Sequence, residues 1–403
     1  MKSVLRFALS VIIFCLMAII VSCKSKTNDF NTAITEPISA EHAVFSNGIF
    51  HITSGGRYVF TGEYEGQILI ETANDDIVEL ALDGLTLHNP DGSAIFAVDS
   101  GRVELVLTEG TINTISAETN AAIFIHDELI ISGDGTLNII NKHHNGINTN
   151  GLITINSGVF IIETAGHSIQ AEAVTINGGS LTITAEGKAL TATGSIYITG
   201  GNVQIINSDE GIEGFNVTIT GGDINIFSND DGINARDSEE PTGGTRGRFG
   251  INDSMFVRIT GGNVSIHALK DGIDSNGNTF LEGGTLQISA PSPTFGDDAI
   301  DQDGTFTVTG GELITTGSIR SVSPQSTQPF ILVSYGRSLP SETLIEIRHE
   351  NGNILLSHKA KDSFSASGFT SSGFIIGETY SLYINAEKAN DITLTGIITR
   401  IGR

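Results

Sequence analysis

Short runs of alternating apolar and polar residues recur along most of the chain, as in "VTIT" before Gly221-Gly222 and "DINI" after it. A period of two belongs to strands with one buried face, and it puts Val217, Ile219, Ile224 and Ile226 on the inward side. No stretch holds a helical period for the length of an ordinary helix. The runs are separated by small-residue corners at Ser157-Gly158, Gly178-Gly179, Gly200-Gly201, Gly221-Gly222, Gly261-Gly262, Gly283-Gly284 and Gly310-Gly311, spaced by 21, 22, 21, 40, 22 and 27 residues.

A unit of 21 to 22 residues with two or three short strands cannot bury its own apolar side, but units stacked at about 4.8 Å bury a continuous core. The pattern predicts an all-β parallel β-helix. Leucine-rich repeats share the period but need recurrent Leu and Asn at fixed offsets, and propeller blades are about twice as long. Residues 43 to 140 read as the first coils, in which the element "AIF" occurs at 94 to 96 and again at 122 to 124. The 40-residue spacing reads as one coil with an insertion, 235 to 254, that carries Arg236, Arg246 and Arg248. The β-helix is expected to span 43 to 317. From 318 to 403 the register is lost, and longer strands with "ENGN" at 350 to 353 as a hairpin turn predict a small β domain capping the open end.

The first 22 residues read as a leader: basic "MKSVLR", apolar "FALSVIIFCLMAII", then "IVSC". Ile20, Val21 and Ser22 before Cys23 fit a bacterial lipobox. That predicts lipid on Cys23, export, and attachment to the cell envelope or surface through a tether at 23 to 42. An uncleaved membrane span is the alternative. Cleavage removes Cys15 and leaves Cys23 alone, so no internal disulfide forms. It also removes Lys2 and Arg6 from the 21 basic residues, leaving 19 against 46 acidic ones, a balance of -27. Such a surface repels nucleic acid and anionic polymers unless a cation intervenes. A monomer without a nucleic-acid partner is expected.

The acids are not evenly spread. "SDEGIEG", "NDDGINAR", "LKDGIDS" and "GDDAIDQ" are near-copies of one step. Aligned on Ile212, Ile233, Ile273 and Ile300, they give three columns. The first holds Asp209, Asp230, Lys270 and Asp297; the second Glu210, Asp231, Asp271 and Asp298; the third Glu213, Asn234, Asp274 and Asp301. Parity places the third column on the outer face and the second at the loop before the strand. Carboxylates one coil apart, about 5 Å, repel by about 3 kcal/mol at an effective dielectric near 20. Calcium binds oxygen at about 2.4 Å, so two ligands across one ion stand about 4.8 Å apart, which is the coil spacing. Magnesium is too small, and no thiolate or close His set invites zinc. The columns therefore predict a ladder of calcium sites whose ligands are all of these residues except Lys270. A solvated acidic edge that resists strand pairing is the alternative. Earlier coils carry "HHNGIN", "GHSIQ" and "GKALT" in this register, so no ion is expected at His143, His144, His167 or Lys188.

The coils with "DDGI"-like steps, preceded by "ALDGLTLHNPDGSAIF" and "GTLNIINKHHNGINTNGLITINSG", resemble the bacterial carbohydrate-binding domain-containing family of polysaccharide-lyase-like β-helices. The likeness covers about residues 48 to 317. It implies a surface-attached right-handed parallel β-helix that carries calcium on stacked acidic side chains and binds polysaccharide, cellulosic or acidic pectic. The "HHNGIN", "GHSIQ" and "GKALT" coils depart from that pattern.

Three function classes follow. A binding module needs calcium to bridge protein and uronate carboxylates, or exposed rings for sugar faces. The outward column before each corner reads Thr154, Thr175, Tyr197, Thr218, Arg258, Phe280 and Thr307, so Tyr197, Arg258 and Phe280, with Lys270, are the candidate ligand contacts. A lyase needs a base for the proton alpha to a uronate carboxylate; Lys270, Arg258, Arg236 or Arg248 offer one, but spacing singles out none. The third class is a calcium-stiffened surface fibre or adhesin. Calcium-dependent polysaccharide binding is the expectation, with no catalytic residue assigned.

Overall fold

The computed structural model describes residues 43–73, 75–237, 252–290 and 297–402. The leader, Cys23, the tether and most of the insertion, including Arg246 and Arg248, lie outside the described residues.

Among the described residues there is no helix, and the chain winds as a parallel β-solenoid. Each coil contributes one short strand and two longer ones. The short strands, such as Ile212–Gly214, Ile233–Ala235, Ile273–Ser275 and Ile300–Gln302, form the first face. The second face holds strands such as Ser195–Ile198, Asn216–Ile219 and Phe256–Ile259. The third holds Asn202–Asn207, Asp223–Ser228 and Asn263–Ala268.

Register is kept from coil to coil on the first face below Leu190. Ile212 opposes Ile233, which opposes Ile273, which opposes Ile300, all four closed to solvent. Val217, Ile219, Ile224 and Ile226 are buried as the alternation requires. The corners need two glycines for different reasons. The second is left-handed, with φ of 94° at Gly222 and 83° at Gly262, a region that side chains avoid. The first has no room: a Cβ on Gly221 would stand 2.4 Å from the carbonyl oxygen of Thr199 in the coil above.

Both ends of the stack switch to antiparallel pairing. The strand Ala43–Ser46 folds back on Ile49–Ile52 through Asn47-Gly48, both at positive φ. At the other end Leu313 and Ile314 of the last coil pair antiparallel with Thr370 and Phe369. Beyond them lie a four-stranded antiparallel sheet and a second core that includes Ile345, Ile347, Tyr380 and Leu382. Its hairpin Leu344–His349/Ile354–Lys359 turns at "ENGN", with Gly352 at φ 87°. This C-terminal part is fastened to the third face through His267 Nε2 and Asp362 at 2.7 Å and through Ser289 and His358 at 2.8 Å.

Candidate functional site

The predicted columns are true neighbours, joined by main-chain bonds. The Asp230 N–H donates to the Asp209 carbonyl at 2.8 Å and the Lys270 N–H to that of Asp230 at 3.3 Å. The Gly211, Gly232 and Gly272 amides donate to the carbonyls of Asp231, Asp271 and Asp298. In the third column Glu213 opposes Asn234, Asn234 opposes Asp274 and Asp274 opposes Asp301. The glycine in "DDGI" is steric: a Cβ on Gly232 would stand 2.3 Å from Ile266 Cγ2. The second column adds a side-chain rung. Asp231 Oδ1 accepts the Asp271 N–H at 3.2 Å, and Asp271 Oδ1 accepts that of Asp298 at 2.5 Å.

The third column points away from the Ile core, as parity requires, yet most of it is covered: Glu213, Asn234 and Asp301 are only 3 %, 5 % and 3 % exposed, and Asp274 is half-buried. Glu210, Asp231 and Asp271 are buried too, whereas Asp209 and Lys270 remain open to solvent. Glu210, Asp231 and Asp271 are thus desolvated together, which favours their neutral forms. Burial, then the neighbouring carboxylates Asp274 and Asp230, pushes Asp231 up to about 7. Burial pushes Asp271 up to about 9, against the pull of the Asp298 amide. Glu210 is raised by burial and by a hydrogen bond to Glu213. Glu213 is held low: burial acts upward on it but is outweighed by Glu210 and by Lys188.

The two ends of the ladder carry their own cations. At the upper end the Lys188 ammonium pairs with Glu213 and lies 3.5 Å from Glu210 Oε1, while Arg236 Nη1 lies 3.8 Å from Glu213 Oε2. At the lower end Arg320 Nη1 pairs with Asp301 at 2.7 Å and with Asp303 at 3.6 Å. Between them stand Asp231, Asn234, Asp271 and Asp274. There Asn234 Nδ2 donates to Asp231 Oδ2 at 3.2 Å and to Glu210 Oε2 at 3.4 Å. Its Oδ1 is buried without a hydrogen-bond partner among the described residues. Among the described residues no three carboxylates, imidazoles or thiols converge to hold an ion by themselves. The donor chemistry nevertheless fits calcium, which combines carboxylates with amide and main-chain carbonyl oxygens and water. An ion here would draw on Asp231, Asp271 and Asn234 Oδ1, with main-chain carbonyls and water completing its shell. Asp209, Asp230, Asp297 and Asp298 lie toward the preceding loop, where Asp230 pairs with Lys270 at 2.6 Å and Asp298 with Ser318.

The outward column of the second face is also real: Tyr197 opposes Thr218, Thr218 opposes Arg258, Arg258 opposes Phe280 and Phe280 opposes Thr307. The Arg258 guanidinium lies 4.2 Å from the Phe280 ring centroid and 5.4 Å from that of Phe256, and pairs with Glu282. Lys270 does not join this group; it sits before the first-face strand, against Asp230. Sequence reasoning missed Phe256, although it lies two residues before Arg258 with the same parity. It placed Lys188 in the register but not its pairing with the acids, and it missed Arg320. Lys188 was legible as the residue before the Ala-Leu step of its coil, one coil above Glu210, but Arg320 lies past the last repeat.

The family profile of the carbohydrate-binding domain-containing proteins matches residues 46–320. A protein of that description from Acetivibrio thermocellus is 28% identical over 120 residues, 27% of this chain, and the matched segment spans 42% of that relative's length. A solved structure, a gadolinium derivative of the polysaccharide lyase-like protein from C. thermocellum, aligns over 71% of this chain and 91% of its own at 23% identity, with a TM-score of 0.36. The profile match takes in nearly the whole solenoid and its acidic columns, and the chain belongs to the carbohydrate-binding domain-containing protein family.

Proposed function

We propose that this protein is an exported, lipid-anchored surface protein that binds acidic polysaccharide through calcium held on its first face. The observation that carries the reading is the stack of buried carboxylates around Asn234, whose own oxygen lacks a donor among the described residues. On a chain of net charge -25, an anionic polymer is repelled unless a cation stands between the two. The family supports carbohydrate as the partner, and the Phe256–Arg258–Phe280 cluster offers rings and a cation on the adjoining face. The anchor rests on the "IVSC" sequence and Cys23.

A lyase finds less support. A base must be unprotonated, whereas Asp230 beside Lys270 raises that lysine's pKa, and Arg258 is engaged by two rings and Glu282. The test is affinity electrophoresis through gels containing polygalacturonate, with calcium and with EDTA. Retardation that disappears in EDTA supports the reading, and equal mobility with and without polymer rejects it. Cys23→Ser, followed by loss of detergent-phase partitioning, tests the anchor.

A further inference from the structure

The acidic column does not end where its acids do. Going up the first face, Glu213 opposes Thr191, Thr191 opposes Gln170, Gln170 opposes Asn148, Asn148 opposes Phe124 and Phe124 opposes Phe96. One outward row therefore passes from carboxylates through a hydroxyl and two amides to two aromatic rings, one coil at a time. The rings belong to the repeated "AIF" element. Their alanines and isoleucines face the core, whereas Phe96 and Phe124 alternate outward and are only partly covered.

The rings pack on one another, with centroids 5.7 Å apart. His126, two residues beyond Phe124 and exposed, packs its ring 5.4 Å from Phe124, and its Nδ1 lies 3.3 Å from Asn150 Nδ2. Phe96 and Phe124 thus set two rings, each only partly covered, at the head of an otherwise polar row. Gln170 Oε1 accepts from Asn145 Nδ2 at 2.7 Å, which fixes the amide and leaves its own nitrogen to donate outward.

We propose that Phe96 and Phe124 form a sugar-stacking platform, and that a polysaccharide chain lies lengthwise along this row. Sugar C–H faces would rest on the two rings, hydroxyls would meet Asn148 and Gln170, and the polymer's charged groups would reach the cation-bearing coils below. The proposal rests on the polysaccharide-binding reading and adds to it a polymer direction, along the stack rather than across it, and a contact well away from the acids. A chain that touched only the acidic coils would be indifferent to Phe96.

The test again uses polygalacturonate gels with calcium. Phe96→Ala and Phe124→Ala should each weaken retardation roughly tenfold, the factor that about 1.4 kcal/mol makes. Ile112→Ala, which removes an exposed apolar residue on the third face, should behave as wild type. The calcium-induced rise in melting temperature should persist in all three. Should the alanine variants fold poorly, Phe124→Trp places a single indole in a chain that has no Trp, and its emission should shift when polymer is added. Wild-type retardation with unchanged Phe variants and unchanged indole emission overturns this proposal alone. No wild-type retardation overturns the polysaccharide reading and this proposal with it.

Discussion

Asn234 donates through Nδ2 to Asp231 Oδ2 at 3.2 Å, while its Oδ1 is buried with no donor among the described residues. Leaving a buried acceptor unsatisfied costs about 1–3 kcal/mol, so a bound cation that uses this oxygen removes a penalty as well as a repulsion. Calcium should therefore raise the melting temperature. At a free concentration of about 100 Kd the stabilisation is about 2.7 kcal/mol, a shift of several degrees. Asn234→Ala and Asp231→Ala should shrink the calcium-dependent shift and lower the stoichiometry in titration calorimetry. Equal midpoints in calcium and EDTA for the wild-type protein would remove the metal from the picture.

Burial makes the metal-free ladder sensitive to pH, in an unusual direction. Asp231, raised to about 7, and Asp271, raised to about 9, hold protons in the folded chain that they would release on unfolding above about pH 4. The native state then binds more protons than the unfolded one, so stability falls as pH rises from about 4 through the two folded values. In EDTA the melting temperature should decline steadily between about pH 5 and 9, whereas most proteins are steadiest there. Calcium requires the ionised carboxylates, so its protection should grow over the same interval and flatten the profile. Melts across this range that rise or stay level in EDTA would contradict the burial argument.

Most of the solenoid was legible because its signals are local. Alternation set the inward residues, paired glycines set the corners, and counting from Ile212 to Ile233 set the neighbours across coils. The resemblance pointed to the family that the profile match establishes. What alternation cannot supply is solvent exposure. It placed Glu213 and Asp301 on the outward side correctly, yet whether an outward side chain is wet depends on what covers it, a long-range matter. Charge compensation was hidden for the same reason. Lys188 precedes Glu210 by 22 residues and Arg320 follows Asp301 by 19, so neither pairing is visible without the coil register. The "AIF" repeat was visible, but its phenylalanines gained meaning only when the first-face row proved continuous.

Lys188 should behave as a built-in counter-ion for the top of the ladder. Its ammonium pairs with Glu213 and lies 3.5 Å from Glu210, both nearly closed to solvent. Removing one partner of a buried pair typically costs about 3–5 kcal/mol, because the remaining charge is left without compensation. Lys188→Met should lower the melting temperature markedly in EDTA. Glu210, Glu213 and Asp231 would then offer oxygens with no ammonium among them, so calcium should restore more stability to the variant than it adds to the wild type. A variant that melts like the wild type in EDTA would show that Arg236 alone suffices for Glu213.

Lys270 tests whether the acidic face is chemically active. A lyase base must take the proton alpha to a uronate carboxylate, which requires an unprotonated nitrogen near neutral pH. Lys270 Nζ is 2.6 Å from Asp230 Oδ1, and that hydrogen bond outweighs partial burial to raise its pKa above the ordinary lysine value. It is a cation at any physiological pH, suited to steering a polyanion rather than to proton abstraction. Polygalacturonate incubated with the protein and calcium should therefore show no growing ultraviolet absorbance from unsaturated uronide, even at high protein concentration. Lys270→Ala should weaken retention in polygalacturonate gels by a few-fold without changing that absorbance. Asp230→Ala, which releases the ammonium, should leave the absorbance flat as well. A steady rise that vanishes in Lys270→Ala would make the protein a lyase and Lys270 its base.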